Sequence, residues 1–177
     1  MNEIFAGIDL SFGGTGVVVL DKEGEILKQE LISTKHDKEN RYDIEVRMLY
    51  IIDKLKFLQE IKNLVVVYVE DLSFGSTGDG AAQLAALNYF TRIFLMNLGI
   101  TYFTVPPTTL KKYITNAGNA KKNLMLKEIY KRWGADFNDD NLGDAYALAR
   151  MALDNYKKGF LEVIKKKEKK VKKSKIK

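Results

Sequence analysis

Short apolar runs and long amphipathic stretches succeed one another along the chain, and their spacing predicts the elements. EIFAGIDL and TGVVVLD read as strands, the second too uniformly apolar for an exposed edge. DKEG, ending in Gly24, reads as a hairpin turn, and EILKQELIST alternates as loosely as an outer strand does. After the polar loop STKHDKENRYD, the residues Ile44, Met48, Ile51, Leu55 and Leu58 recur at 4-3-4-3 spacing, which predicts an amphipathic helix from Arg41 to Ile61. NLVVVYVE predicts a buried strand, and DLSFGSTGDG a Gly/Ser loop.

Residues 81–98, AAQLAALNYFTRIFLMNL, form a helix that is apolar nearly all round, so it needs cover on more than one side and suits an oligomer contact. GITYFTV is a short strand, and the Pro-Pro pair after it opens a helix that NAGNA interrupts. Further helices run from about Lys121 to Trp133 and from about Asp140 to Tyr156. Three antiparallel strands followed by right-handed crossovers give an α/β fold: a five-stranded mixed sheet, three strands antiparallel and then two parallel, with helices on both faces. The first and fourth strands then lie side by side and parallel, and each ends in an acid, Asp9 and Glu70. Open α/β sheets bind their ligands at that carboxyl end.

Composition narrows the chemistry. At 177 residues, 46% hydrophobic, the chain suits one globular domain with a real core. No apolar run reaches the length of a membrane span, and the opening MNEIFAGIDL lacks the layout of a secretory signal, so a cytoplasmic protein is expected. Cysteine is absent, which excludes disulfides and thiolate metal sites and leaves oxygen ligands, hence magnesium or manganese before zinc. The net charge of +6 is misleading as an average: residues 165–177 hold nine lysines and one glutamate, so residues 1–164 are net acidic by two. That block reads as a solvated, disordered tail, 161–177, following a domain at 1–160; it would serve equally as a non-specific grip on a polyanion. Between Lys111 and Arg132 stand six lysines and one arginine against one glutamate, and four aspartates follow at once. Adjoining basic and acidic surfaces suit a site that attracts a phosphate backbone and cuts it with metals.

Two carboxylates as close as Asp9 and Glu70 repel and raise each other's pKa unless a cation lies between them. The last helix supplies a third, Asp144, on the face it shares with Leu148 and Ala152, with Asp140 and Asn141 projecting from that face at i−4 and i−3. Small residues Gly143, Ala145 and Ala149 would let this helix approach the sheet. Such a set is an open oxygen site for one or two hard cations, able to activate water against a phosphodiester. Each acid taken alone has an ordinary structural explanation: amide-satisfied strand end, rim ion pair, or helix cap. Their convergence at one end of this topology favours the site.

These motifs resemble those of the RuvC family of Holliday junction resolvases, which has the RNase H-like fold. GIDLSFGGTG is similar to its Asp-x-Ser-x-x-x-Thr-Gly signature and VYVED to its second acid; VPPTTLKKYITNAGNAKK resembles its basic helix and turn, and DDNLGDAYALA its final helix in a phage-type form. The resemblance runs from about Ile4 to Ala152. It implies that Asp9, Glu70 and Asp144 are catalytic metal ligands, with two Mg2+ ions per site and Mn2+ as a substitute. The family's fourth ligand lies three residues before the last acid, where this chain has Asn141, preceded by Asp140; either the carboxylate of Asp140 or the carbonyl of Asn141 would serve. Lys111 and Lys122, with neighbours Lys112 and Lys121, fall on basic positions that hold DNA, and Phe74 is the nearest counterpart of an aromatic that stacks on bases. The implied activity is a crossover junction endodeoxyribonuclease: a homodimer, here through helix 81–98, that hydrolyses branched DNA symmetrically and leaves 5′-phosphates.

Two other readings share parts of this pattern. One is an RNase H-like nuclease acting on an RNA–DNA hybrid, a flap or a ribosomal RNA precursor. The other is an ATP-binding protein of the actin, heat-shock ATPase and sugar-kinase type, which needs two such lobes where this chain has residues for one. A catalytically idle junction binder would follow if Asn141 emptied the metal site. His36, the only histidine, reads as a surface residue; Ser11, Thr15 and Gly13, Gly14 and Gly16 as shapers of the first hairpin; Trp133 as core, with Tyr130 free to stack on bases.

Overall fold

The computed structural model describes residues 3–73 and 77–159, so Phe74 and the lysine-rich segment 161–177 lie outside the described residues. Five strands, β1 (Ile4–Asp9), β2 (Thr15–Leu20), β3 (Ile26–Ile32), β4 (Leu64–Glu70) and β5 (Tyr102–Val105), form one sheet in the order β3-β2-β1-β4-β5. The β1–β2 and β2–β3 pairs are antiparallel, and the β1–β4 and β4–β5 pairs parallel. This is the predicted α/β fold, with the helices α1 (Asp43–Leu55) and α2 (Asp79–Asn97) on one face and α3 (Pro107–Thr115), α4 (Lys122–Trp133) and α5 (Asp140–Lys157) on the other.

Strand alternation sorts the core into these two layers. Ile4, Ala6 and Ile8 of β1 pack with Ile51, Leu55, Leu87 and Leu95 from α1 and α2. Phe5 packs towards Leu110, Ile129, Tyr146 and Leu148 on the opposite side. By the same alternation Gly7 and Asp9 face α5. β3, read as an outer strand, is the edge: Ile26, Leu27 and Leu31 are exposed, and its turn is tied by Asp21, whose Oδ1 accepts from the amides of Glu23, Gly24 and Glu25. Gly24 takes φ +90°, which a residue with a side chain rarely adopts.

Two expectations need correction. The helix predicted from Arg41 to Ile61 is α-helical only over Asp43–Leu55 and continues as a 3₁₀ turn over Lys56–Glu60, with Ile44 and Met48 half-buried and Ile51, Ile52, Leu55 and Leu58 in the core. On α5, Ala145 and Ala149 lie where the helix meets the sheet, as expected, but Gly143 does not, and the clearance has a further source. It also depends on glycines of the strands: a Cβ on Gly7 would overlap the carbonyl oxygen of Ala145 and stand 2.6 Å from the amide nitrogen of Ala149. A Cβ on Gly16 would likewise overlap the carbonyl of Asn141, whereas Gly143 makes room for Leu126 of α4. Gly16 therefore serves a backbone contact, not the hairpin turn for which it was read.

Gly7→Ala meets backbone atoms that cannot swing aside, so its cost should lie at or above the upper end of the about 1–3 kcal/mol typical of overpacking. Calorimetry should show the melting temperature falling by about 2–4 °C for each kcal/mol, whereas Gly134→Ala, with open space around it, is strained only by its φ of +69°.

Candidate active site

The register Ile8↔Val69 in the parallel β1–β4 pair brings the next residue of each strand, Asp9 and Glu70, side by side at the carboxyl end of the sheet. Both project towards α5, where Asp144 stands one turn in from the helix start. Asp9 is 5% exposed, and its carboxyl is pushed well above the ordinary carboxylate range, first by burial and then by the charges of Glu70 and Asp144. The side chain of Glu70 lies within interaction range of Asp9, and its own pKa is raised by burial against the opposing pull of Asp9, Lys111 and Lys122. Asp144 is raised to about 7 by burial and by Glu70. The strand-end aspartate thus lies beside a second acid, and the third lies within their electrostatic reach.

Lys111 on α3 and Lys122 at the start of α4 form the basic side of this cleft: both counter the charge of Glu70 and Asp144, and Lys122 acts on Asp9 too. Partial burial works against the charge of Lys122, but Asp140, Asp144 and Asp9 together hold its pKa above the ordinary lysine value. Its Nζ lies 3.4 Å from Asp140 Oδ2. Lys112 and Lys121 are exposed, and no carboxylate pairs with either among the described residues. The three residues before the helix's first full turn divide their work. Asp139 caps α5 by accepting from the amides of Asn141 and Leu142; Asp140 turns to Lys122; Asn141 lies against β2, its side-chain nitrogen 3.2 Å from where a Cβ on Gly14 would stand.

Ser11 and Thr15 are not poised as nucleophiles. Thr15 is fully buried, its hydroxyl donating to Ser11 O at 2.8 Å and accepting from Ser11 N at 3.2 Å, so the pair closes the loop directly after Asp9. That loop is also held from α1. Arg47 donates to Phe12 O at 3.2 Å and to Thr34 Oγ1 at 2.7 Å and lies over the Phe12 ring, while Thr34 Oγ1 donates to Phe12 O. Asp43, buried at the start of α1, braces Arg47 and accepts from Asp37 N, and His36 Nδ1 lies 2.6 Å from its Oδ2. Nothing in the apolar periodicity singles out Arg47; its role becomes visible only once α1 is docked beside the hairpin. His36 sits on the surface as expected, more than half exposed, although with a partner. Trp133 packs on Tyr113 and Tyr146, and Tyr130 is exposed.

The donor set is all oxygen: the adjacent carboxylates of Asp9 and Glu70, a third, Asp144, beside them and a fourth, Asp140, at the rim. Among the described residues no three carboxylate or imidazole side chains close into a cage around one point. The three acids are near enough, however, for Glu70 and Asp144 each to raise the pKa of Asp9. The set suits a hard divalent cation, which takes oxygen ligands and displaces protons from them.

Comparison with known proteins agrees with the fold. The chain is 26% identical over 150 residues to the crossover junction endodeoxyribonuclease RuvC of Brachyspira hyodysenteriae, covering 82% of this chain and 91% of that protein. It superposes on the structure of Thermus thermophilus RuvC with a TM-score of 0.72 at 20% identity, covering 88% of this chain and 96% of that one. A second Thermus thermophilus RuvC structure, in complex with a Holliday junction substrate, matches with a TM-score of 0.68 at 18% identity over 83% of this chain and 90% of the other. No family model matches the chain. The fold is that of RuvC, within the RNase H-like class.

In metal-free protein the raised acids lower stability at neutral pH. The folded chain keeps a proton on Asp144 up to about pH 7, where an unfolded chain has lost it from about pH 4 upward, so stability falls as pH rises through that window. Asp144→Asn removes the part of the decline that belongs to Asp144, leaving that of Asp9 and Glu70. In EDTA, its melting temperature should gain on that of the unsubstituted protein steadily from pH 4 to pH 7 and then level off.

Proposed function

We propose that this chain, RuvC-like in sequence and fold, is a metal-dependent endonuclease that resolves Holliday junctions by hydrolysing phosphodiester bonds. The observation that carries the reading is the meeting of Asp9, Glu70 and Asp144, from two parallel strands and a helix, in a buried cleft flanked by Lys111 and Lys122. Carboxylates buried together against their own repulsion are costly to a fold, and divalent cations are the ligands that relieve that cost.

Asp9, Glu70 and Asp144 are the metal ligands in this reading, with Mg2+ as the natural ion, Mn2+ as a substitute and two ions per site. Asp140 is the fourth carboxylate, released from Lys122 when a phosphate takes that lysine's charge; the alternative is the side-chain carbonyl of Asn141. Bound cations supply a water of lowered pKa and a counter-charge for the leaving oxygen. The protein's own groups do the rest. Lys111 and Lys122 hold the scissile phosphate's neighbours against the carboxylate wall, Lys112 and Lys121 extend the basic surface along the backbone, and the capped start of α5 fixes Asp144 relative to both strands.

The partner is branched DNA, met by two copies of the chain. Val46, Leu49 and Tyr50 of α1 and Tyr89, Ile93 and Met96 of α2 are exposed, and a groove between these helices is lined by Met48, Leu49 and Phe90. A four-way junction has paired strands of like polarity, so two sites across such a face would cut it symmetrically. No helix among the described residues is long and apolar enough to cross a membrane, and action on DNA places the proposed work in the cytoplasm of a bacterium or a phage-infected host.

With magnesium, a mobile four-way junction should be nicked symmetrically, in preference to a flap, an RNA–DNA hybrid or linear duplex. Asp9→Asn and Glu70→Gln should each abolish nicking while leaving junction binding in EDTA intact. Preferential cutting of the hybrid would favour the other nuclease reading, and junction binding without nicks an idle binder. Asp140→Asn should slow cleavage more than Asn141→Ala; the reverse order would move the fourth ligand to Asn141. Ile93→Glu should shift the sedimentation coefficient from that of a dimer to that of a monomer and uncouple the two nicks.

A further inference from the structure

Glu70 is held from two layers. Its side chain enters the cleft beneath α5, whereas its backbone carbonyl accepts a hydrogen bond from below, from Asn88 Nδ2 of α2 at 2.8 Å. Asn88 is 2% exposed, and its Oδ1 has no partner among the described residues. A buried acceptor left unsatisfied costs about 1–3 kcal/mol. As a packing residue between Leu87 and Leu95, an asparagine is therefore a worse choice than leucine. The next buried polar residue of the helix differs: Thr91 returns its hydroxyl to Leu87 O within the helix and asks nothing of the sheet. The one group of Asn88 that is satisfied points at the peptide that follows the second acid.

We propose that Asn88 is a positioning residue for Glu70. Beyond Glu70 the chain leaves the sheet, with Asp71 N donating to Val105 O as its last ladder bond. That bond holds the Glu70–Asp71 peptide from its N–H side alone; Asn88 holds the carbonyl side, and without it the plane can pivot about the single remaining bond and turn the direction in which the side chain leaves the backbone. The amide clamps that peptide plane and so fixes the carboxylate against Asp9 and Asp144. Groups that orient a ligand residue in this way change metal affinity or activity by about 10–100-fold when removed. The inference rests on the metal-site reading given above and adds to it a residue on the opposite face of the sheet, on the same helix that presents Tyr89, Ile93 and Met96 to solvent.

Three variants decide it. Asn88→Leu deletes both polar groups at nearly constant volume, Asn88→Asp keeps the shape but sets an acceptor against the Glu70 carbonyl, and Thr91→Val is the control on the same buried face. Melting temperature, Mn2+ binding to DNA-free protein by titration calorimetry, junction binding in EDTA and single-turnover cleavage are measured for each. Asn88→Leu should melt at or above the temperature of the unsubstituted protein and bind the junction within about twofold of it. It should bind Mn2+ about 10–100-fold more weakly and cleave more slowly by a similar factor. Asn88→Asp should lose at least as much, and Thr91→Val should lose neither. Undiminished Mn2+ affinity in Asn88→Leu would overturn the proposal. So would a lowered melting temperature in Asn88→Leu together with Mn2+ affinity retained by Asn88→Asp, which marks a packing role. Should the unsubstituted protein bind Mn2+ yet cut no branched DNA, the resolvase reading fails while the calorimetry still decides the role of Asn88.

Discussion

Mutual repulsion among carboxylates withdrawn from water governs this molecule. Asp9, Glu70 and Asp144 each lose hydration on folding, and each makes the others harder to ionise. A fold shaped only for stability would place leucine or valine at these strand ends. Here the sheet order sets two acids on adjacent parallel strands, and the helix that could have buried them apart delivers a third. Their proximity is eased by Lys111 and Lys122 at the rim, whose charges oppose the rise in the pKa of Glu70 and Asp144.

Much of this was legible in the chain because it depends on short-range periodicity. Strand ends can be read from an apolar run that stops at an acid, and the register of Asp144 on α5 from Leu148 and Ala152. Parallel neighbours follow from the order of elements. What escaped depends on which element docks beside which. The apolar spacing does not single out Arg47, and nothing nearby in sequence announces that Phe12 will lie beneath it. Asn88 sits in an apolar helix where one amide looks incidental, and its partner is a backbone carbonyl eighteen residues away, which has no sequence signature at all. The end of α1 is hidden in the same way: the apolar period continues past Leu55 to the buried Leu58, which lies in the 3₁₀ turn.

The site is consequently a product of both helical layers. α5 contributes a ligand side chain and the cap that orients it; α1 fixes the loop after Asp9 through Arg47; α2 reaches Glu70 through its peptide. α3 and α4 add the lysines. Helices that present apolar surface outward are therefore the same ones that hold the two strand-end acids, and a partner docked on that surface would bear on the geometry of the cleft through rigid secondary structure.

At Gly7 and Gly16 the last helix rests on the strands main chain to main chain. Elsewhere in a core, a neighbour's altered rotamer can absorb a substitution; here no rotamer intervenes. Evolutionary drift is thereby channelled: outlying residues can be exchanged freely, while these two hydrogen-sized positions stay locked to the helix above. What is inherited is a clearance of atomic width, and the composition around it is free to wander.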